Sequence, residues 1–521
     1  WSGATCRSAP RARAPPPRAW FQHPAGGVPL TQPLPPRGTV VSIDHARRII
    51  PDASVAVSDG RITYVGPAAT GPQDASRVLE ADGGIILPGL VDAHGHGGHG
   101  LLKTVASDTP SFWGKVVTRT YYHHTDTDFW SAEGQLSALE RLMFGVTTGL
   151  CVIASEPRSD DPALAGAHAA SYAEAGLREI VATGPCNPPY PRPATQWRDG
   201  IPHDAPFTFE DAMTGAEQVI RDWHGGANDR IRVMLTPFLI VPSCDSSGPT
   251  PADRARLTEC VLLESRRIRE SAREHGVRIH SDAFGGMVRL ASRDPNGLLG
   301  PDVLVQHCTG LGIDEVRIIA DTGTSVGHAP LAGSMGRARC PVVELIEAGA
   351  NVAITTDGTS PRTSFDLLPN LRVAMRLQQN HFQDSSVMPT GKLLEMATID
   401  AAKALGMDSD IGSLEVGKKA DVITLGGGLR PHLTPMYMAV HRVVHQAAGQ
   451  DVDHVVVDGR VLMENRCPEV VDARAIQARA ERESERIVER AGLAPFMEPP
   501  EGFWSASSSR ISDDRFAEFS S

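Results

Sequence analysis

The spacing of apolar and polar positions divides the chain into three textures. From residue 38 to 87, short runs rich in β-branched residues (GTVVSI, SVAVSDGRITYVG, GGIILPGLV) alternate with turn residues and predict strands. Asp59-Gly60 predicts a two-residue hairpin turn. From 88 to 415, apolar runs alternate with amphipathic ones. FWSAEGQLSALERLMFGVTTGLCVI reads as a helix feeding a strand. LREIVATG, RIRVMLTPFLIV, GVRIHSDAF, DVLVQHC, TSVGHAP and NVAITTDG read as further strands, separated by helices such as ADRARLTECVLLESRRIRESAREHG and CPVVELIEAGA. This alternation predicts an α/β fold with a parallel sheet, of a length that suits a (β/α)8 TIM barrel. From 416 to 470 the β texture returns in SLEVGKKADVITLGG and HVVVDGRVLMENR, with a second hairpin turn at Asp458-Gly459. The two flanks, 38–87 and 416–470, are expected to form one small β-sandwich from both chain ends. Segment 471–521 predicts a polar helix with a solvated face and a tail of low order. Residues 1–37, rich in Pro and Arg, predict a disordered or non-native extension.

Composition narrows the function classes. The chain has 521 residues, 41% of them apolar, as in soluble globular proteins. It has no uninterrupted apolar run near the roughly 18 residues that span a bilayer, so no membrane role is expected. The formal charge is -12. Residues 1–37 hold five arginines and no acid, leaving 45 basic against 62 acidic residues over the remainder. So acidic a body argues against nucleic acid and for a small neutral or cationic substrate. None of the eight cysteines forms a CxxC pair, which points to a reducing, cytoplasmic setting.

The chemistry concentrates in VDAHGHGGHG, residues 91–100. Residues i and i+2 of a strand share a face, so His94 and His96 at a strand end would aim both imidazoles at one point, as a metal requires. A glycine-rich loop that merely contains histidines is the alternative. Three later strand ends bear on the choice: His280 in GVRIHSDA, His307 in LVQHC and Asp357 in AITTDG. In a closed parallel barrel all such ends meet at one mouth.

PGLVDAHGHGGHG, the strand-end His280 and His307, AITTDG, and MATIDAAKALGMDSDIGSLEVGKKADVITL together resemble the amidohydrolase superfamily, most closely its cytosine-deaminase-like and triazine-hydrolase-like branch. The resemblance covers about residues 38–470. It implies a (β/α)8 barrel with a β-sandwich, and one divalent metal held by His94, His96, His280 and Asp357. Zinc is the first expectation, with iron or manganese as alternatives. It implies that His307 contacts the bound water or the polarised substrate, and that Asp357 moves the proton. A homo-oligomer is expected as well. The implied activity is hydrolysis of a C–N bond, by deamination or amide cleavage, in a small and sometimes heterocyclic nitrogen compound. A binuclear amide or cyclic-amide hydrolase is the alternative, and an inactive scaffold of the same fold a further one, although such scaffolds usually lose ligands and all four are present here.

Two positions depart from the branch. Its deaminases usually carry a glutamate three residues after the histidine of the fifth strand, where this chain has Ala283. The fourth-strand candidate RIRVMLTPFLIVPS lacks the lysine that binuclear relatives often use as a bridge, which favours one metal. Asp282 remains a candidate substrate contact, although strand alternation is expected to turn it to the opposite face. His99, His328 in SVGHAP and Phe238 are the other candidate substrate contacts. YYHHTDTDFW is expected to form a lid loop, and Cys308 to point away from the mouth.

Overall fold

The computed structural model describes residues 38–108, 110–241, 257–334 and 338–506. The expected extension 1–37 and the end of the tail lie outside them. Eight parallel strands form the barrel: β1 (Leu90–Asp92), β2 (Val146–Ile153), β3 (Arg178–Thr183), β4 (Ile231–Leu235), β5 (Ile279–Phe284), β6 (Val303–Thr309), β7 (Ser325–His328) and β8 (Val352–Ile354). Each pairs with the next in sequence, as in Asp92↔Gly149, Gly149↔Glu179 and His280↔Leu304. The ring closes just beyond β1 and β8, where Asp357 N donates to the His94 carbonyl at 3.0 Å. These strands are buried on both faces, which is why they read as continuous apolar runs rather than alternating ones.

Helices follow the strands: α1 (Thr127–Met143), α2 (Pro162–Ala175), α3 (Phe209–Trp223), α4 (Glu259–His275), α5 (Met287–Ala291), α6 (Ile313–Thr322), α7 (Val342–Glu347) and α8 (Leu367–Phe382). Their starts follow ordinary capping chemistry. Asp126, Asp161 and Thr208 each accept a backbone N–H of the first turn, and Pro162 fills the first position of α2.

The chain ends meet in one mixed sheet, where Val422–Leu425 runs antiparallel to Ile85–Pro88. The Ala53–Ser58/Arg61–Pro67 hairpin packs over it around Val40, Ile62, Val65, Ile86 and Leu414, completing the small β-sandwich. Both hairpin turns put two residues at positive φ, Asp59-Gly60 and Asp458-Gly459, as a type I′ turn requires. Arg178, fully buried at the start of β3, donates to Asp421 at 3.0 and 3.1 Å and also pairs with Asp458, joining sandwich to barrel.

Two expectations are refined. The C-terminal helix, Ala473–Ala491, has the expected solvated face but is docked on the other, where Ile476, Ala480, Ile487 and Ala491 are buried. Arg486 and Arg490 reach Asp126 at 2.6 and 2.7 Å, and Ser484 donates to the Leu101 carbonyl. The apolar stripe is narrow, and the arginines beside it look solvated until their partner on another helix is known. The stretch expected to form a lid loop, residues 121–130, is a short turn at 122–126 between the helix Pro110–Tyr121 and α1.

Candidate active site

At the carboxyl end of the barrel, β1, β5, β6 and the segment after β8 bring six titratable side chains together. His94 Nδ1 lies 2.9 Å from His280 Nε2, and His94 Nε2 lies 3.4 Å from Asp357 Oδ1. His96 Nε2 approaches the same carboxylate oxygen at 3.1 Å. His307 Nε2 lies 3.9 Å from Asp357 Oδ2 and 3.6 Å from Asp282 Oδ2. All six are buried or nearly so. His307 and Asp357 have φ of 71° and 65°, in the left-handed region that costs a non-glycine residue free energy. Strain of this kind persists where the surroundings fix a side chain's direction.

Asp282 requires a correction. It shares the face of His280, two residues earlier, as the strand period demands, and points into the cluster. Ala283 is the residue that turns outward, into the apolar layer under the helices. The only carboxylate of this stretch in the cluster is therefore one residue earlier than in the deaminase pattern.

The electrostatics suit a cation. Burial, with the neighbouring His94, His96 and His307, drives the His280 pKa far below the ordinary value, so its ring is neutral. Burial works against the charge of Asp357, but the His94 and His96 imidazoles beside it and the nearby His307 hold its carboxyl well below the usual range. His94 Nε2 and His280 Nδ1 are buried without a hydrogen-bond partner. Imidazoles, a carboxylate and orphaned ring nitrogens are donors of the kind a divalent metal takes. His94 Nε2 and His96 Nε2, at 3.4 and 3.1 Å from Asp357 Oδ1, have the separations of ligands around one small ion, about 3.3 Å for a tetrahedron with bonds near 2.0–2.1 Å, whereas His280 meets the other nitrogen of His94, Nδ1, and stands outside that trio. His96 Nδ1 donates to the Ala154 carbonyl at 2.8 Å, which turns Nε2 toward Asp357.

The remaining candidates stand around this cluster. His99 stacks on His96 with centroids 4.9 Å apart and hydrogen-bonds Ser155 Oγ at 2.6 Å. His328 is buried, and burial followed by His307 takes its pKa down to about 3. Phe238 sits just past β4, half-buried, its carbonyl accepting from Asp282 N at 2.9 Å. Phe284 stacks on His307 at 5.5 Å. Cys308 is buried in the core, away from the mouth.

Sequence reasoning missed a buried pair behind the cluster. Asp92 accepts from Arg141 Nη2 at 2.9 Å, from Thr356 N at 3.0 Å and from Thr356 Oγ1 at 2.6 Å, tying β1 to the segment that carries Asp357. The Arg141 guanidinium also lies 4.0 Å from the Phe365 ring centroid. Gly95 and Gly149 make room for it, since a Cβ on either would fall within 2.5 Å of the guanidinium. Those two glycines were the available signal.

Fold and donor set together define a barrel hydrolase of the metal-dependent class. The chain belongs to the amidohydrolase family, whose model matches residues 85–462. It is 31% identical over 448 residues to a 5-methylthioadenosine/S-adenosylhomocysteine deaminase of Moorella thermoacetica, covering 82% of this chain and 94% of that protein. It is 26% identical to a 5'-deoxyadenosine deaminase of Methanosarcina mazei, covering 87% of this chain and 97% of that one. In fold it resembles a zinc-bound adenosine deaminase from Xanthomonas campestris, with a TM-score of 0.73, 23% identity, and 87% and 98% of the two chains covered. It also resembles a zinc complex of atrazine chlorohydrolase from Arthrobacter aurescens, with a TM-score of 0.68, 21% identity, and 86% and 98% covered.

Proposed function

We propose that this protein hydrolyses a C–N bond of a small nitrogen-containing compound, with deamination of a 6-aminopurine nucleoside as the first reaction to test. The observation that carries the reading is the convergence of neutral His280, the orphaned His94 nitrogen and ionised Asp357 at the barrel mouth. The similarity to nucleoside deaminases supports the substrate class. Members of the family bind a metal, and His94, His96, His280 and Asp357 would hold one divalent ion here, zinc first. Such an ion acidifies a water and polarises the substrate.

The chain's own groups supply the rest. Asp357 is anionic and takes a proton from the attacking water, then returns one to the departing amine, so that water adds and ammonia leaves. His307 faces both Asp357 and Asp282 and stabilises negative charge on the attacked centre. Asp282 occupies the side of the cluster where an acidic residue can meet a ring nitrogen. His99, His328 and Phe238 border the substrate.

A second reading has its own observation. His94, Asp282 and His307 also bring donor atoms within 4.8 Å of one another, and so could form part of a second ion site. That arrangement fits a binuclear amide or cyclic-amide hydrolase. Elemental analysis separates the two readings. About one zinc per chain, lost in His280→Ala, with ammonia released from 5'-methylthioadenosine or a related nucleoside, is the expected result. Two ions per chain with amide hydrolysis would favour the second reading. No ion after reconstitution would overturn both.

A further inference from the structure

Behind the barrel wall, outside the site described above, His168 of α2 lies fully buried between two carboxylates. Its Nδ1 is 2.6 Å from Glu179 Oε1 of β3, and its Nε2 is 2.8 Å from Glu133 Oε2 of α1. Burial opposes a charge on this ring, but Glu179 and Glu133 hold its pKa well above the ordinary value, so an imidazolium bridges two anions. Cys151, His168 and Glu179 have metal-capable spacing, but their donor atoms are already committed within the protein. Both ring nitrogens are engaged, and the Cys151 thiol sits 2.8 Å from Arg141 Nη1 with its pKa pushed up to about 11 by burial.

What the group touches indicates its use. Glu133 accepts the Gly100 N–H at 3.1 Å. The Gly97 backbone lies against His168: a Cβ there would be 3.0 Å from Nε2. A Cβ on Gly100 would be 2.9 Å from Glu133 Oε1, and Gly98 has φ +88° with the Tyr121 ring against it. Gly97, Gly98 and Gly100 of the HGHGGHG run thus face either this network or a ring beside it, while Gly95 faces Arg141. The same segment carries His96 and His99, which are tied on their other side to Ala154 and Ser155 at the end of β2.

We propose that Glu133, His168 and Glu179 are positioning residues of the active site. They grip the turn 97–100, and through it set the angle at which His96 presents Nε2 to Asp357. The assignment rests on reading His96 as a metal ligand. Without the Glu133 acceptor, the Gly100 N–H loses a charge-assisted partner and the turn opens.

The test is amide hydrogen exchange by mass spectrometry on residues 94–102 of metal-stripped protein, alongside the rate at which zinc-loaded protein gives zinc to a chelator. Glu133→Leu is expected to speed exchange in the turn by about tenfold or more, the loss of one charge-assisted hydrogen bond. It is also expected to weaken zinc retention by about 10–100-fold, as losing a group behind a ligand does. Glu133→Gln keeps an acceptor for the Gly100 amide and should stay near the parent. Tyr172→Phe, in the same layer but without contact to the turn, should lower the melting temperature and leave both readouts unchanged. Should Glu133→Leu not fold, Gly100→Ala perturbs the same contact from the turn and should move both readouts the same way. Unchanged exchange in Glu133→Leu and Gly100→Ala, or an equal rise in Tyr172→Phe, overturns the assignment. Parent protein that takes up no zinc overturns instead the metal reading on which it rests.

Discussion

Replacing Asp92 with alanine should be among the most costly single changes in the barrel. Both Asp92 and Arg141 are fully buried, so the pair gains nothing from solvent and cannot be rescued by it. Asp92→Ala strands a guanidinium whose remaining partners are the Cys151 thiol, the Tyr172 hydroxyl, the Leu150 carbonyl and the Phe365 face. It also leaves Thr356 N and Oγ1 without their acceptor. Removing one partner of a buried pair costs about 3–5 kcal/mol, because the other charge stays desolvated and unpaired. Removing both charges costs much less. Asp92→Asn/Arg141→Met keeps an amide oxygen for Thr356 and should recover a large part, with a coupling of about 0.5–3 kcal/mol. The assay is urea denaturation of parent, singles and double, followed by tryptophan fluorescence and far-UV circular dichroism, the two transitions coinciding. A loss in Asp92→Ala below about 1 kcal/mol, the worth of an exposed pair, would refute the reasoning. So would a double variant as unstable as the sum of the singles.

Three further outcomes are expected. The folded His328 pKa of about 3 lies below the roughly 6.5 of an unfolded histidine. Between those values the unfolded chain binds a proton that the folded chain refuses, so stability falls as pH drops below 6.5. His328→Gln should therefore lose roughly 2 kcal/mol less than the parent between pH 7 and 5, and equal slopes would contradict the assignment. Arg178→Met removes the cation between Asp421 and Asp458, so hydrogen exchange should rise in 452–464 and not in the barrel strands; a rise spread evenly over both would mean that the pair is no specific joint. Among the described cysteines, Cys260 is exposed, whereas Cys308 and Cys340 are buried, the latter with its pKa pushed up to about 12. A disulfide reagent at pH 8 should label Cys260 well before these two, and early labelling of Cys308 would show that β6 opens in the native state.

The barrel strands were legible because parallel strands covered on both faces must be apolar throughout, and each was bounded by a polar or glycine-rich end. The ligand-type residues were legible for the same reason: His94, His280, His307 and Asp357 interrupt or end apolar runs where no core packing calls for them. Asp282 was misjudged by counting from Ala283, the expected position of an acid, when the two-residue period already assigned it to the face of His280. The docking of the C-terminal helix was hidden because arginine at a helix surface looks the same whether its partner is water or Asp126. Glu133, Arg141, His168 and Glu179 were hidden more deeply. Each reads as an ordinary polar position, and their meeting depends on three elements packing together in the layer between barrel and helices.

That layer left one trace in the chain, and it is the glycines. A side chain on Gly95 or Gly149 would collide with Arg141, and one on Gly97 or Gly100 would press on His168 or Glu133. Metal chemistry at the mouth would call on His94 and His96 but has no use for the glycines of HGHGGHG. The glycines are there because the backbone of the turn lies directly on buried charged groups, and hydrogen bonds from main-chain N–H groups to a carboxylate need that approach. The two halves of the motif thus face opposite sides of one wall: histidines toward the mouth, Gly95 toward Arg141, and Gly97 and Gly100 toward His168 and Glu133. Moving any of those glycines to alanine should therefore disturb the active site from behind, without touching a group that meets the substrate.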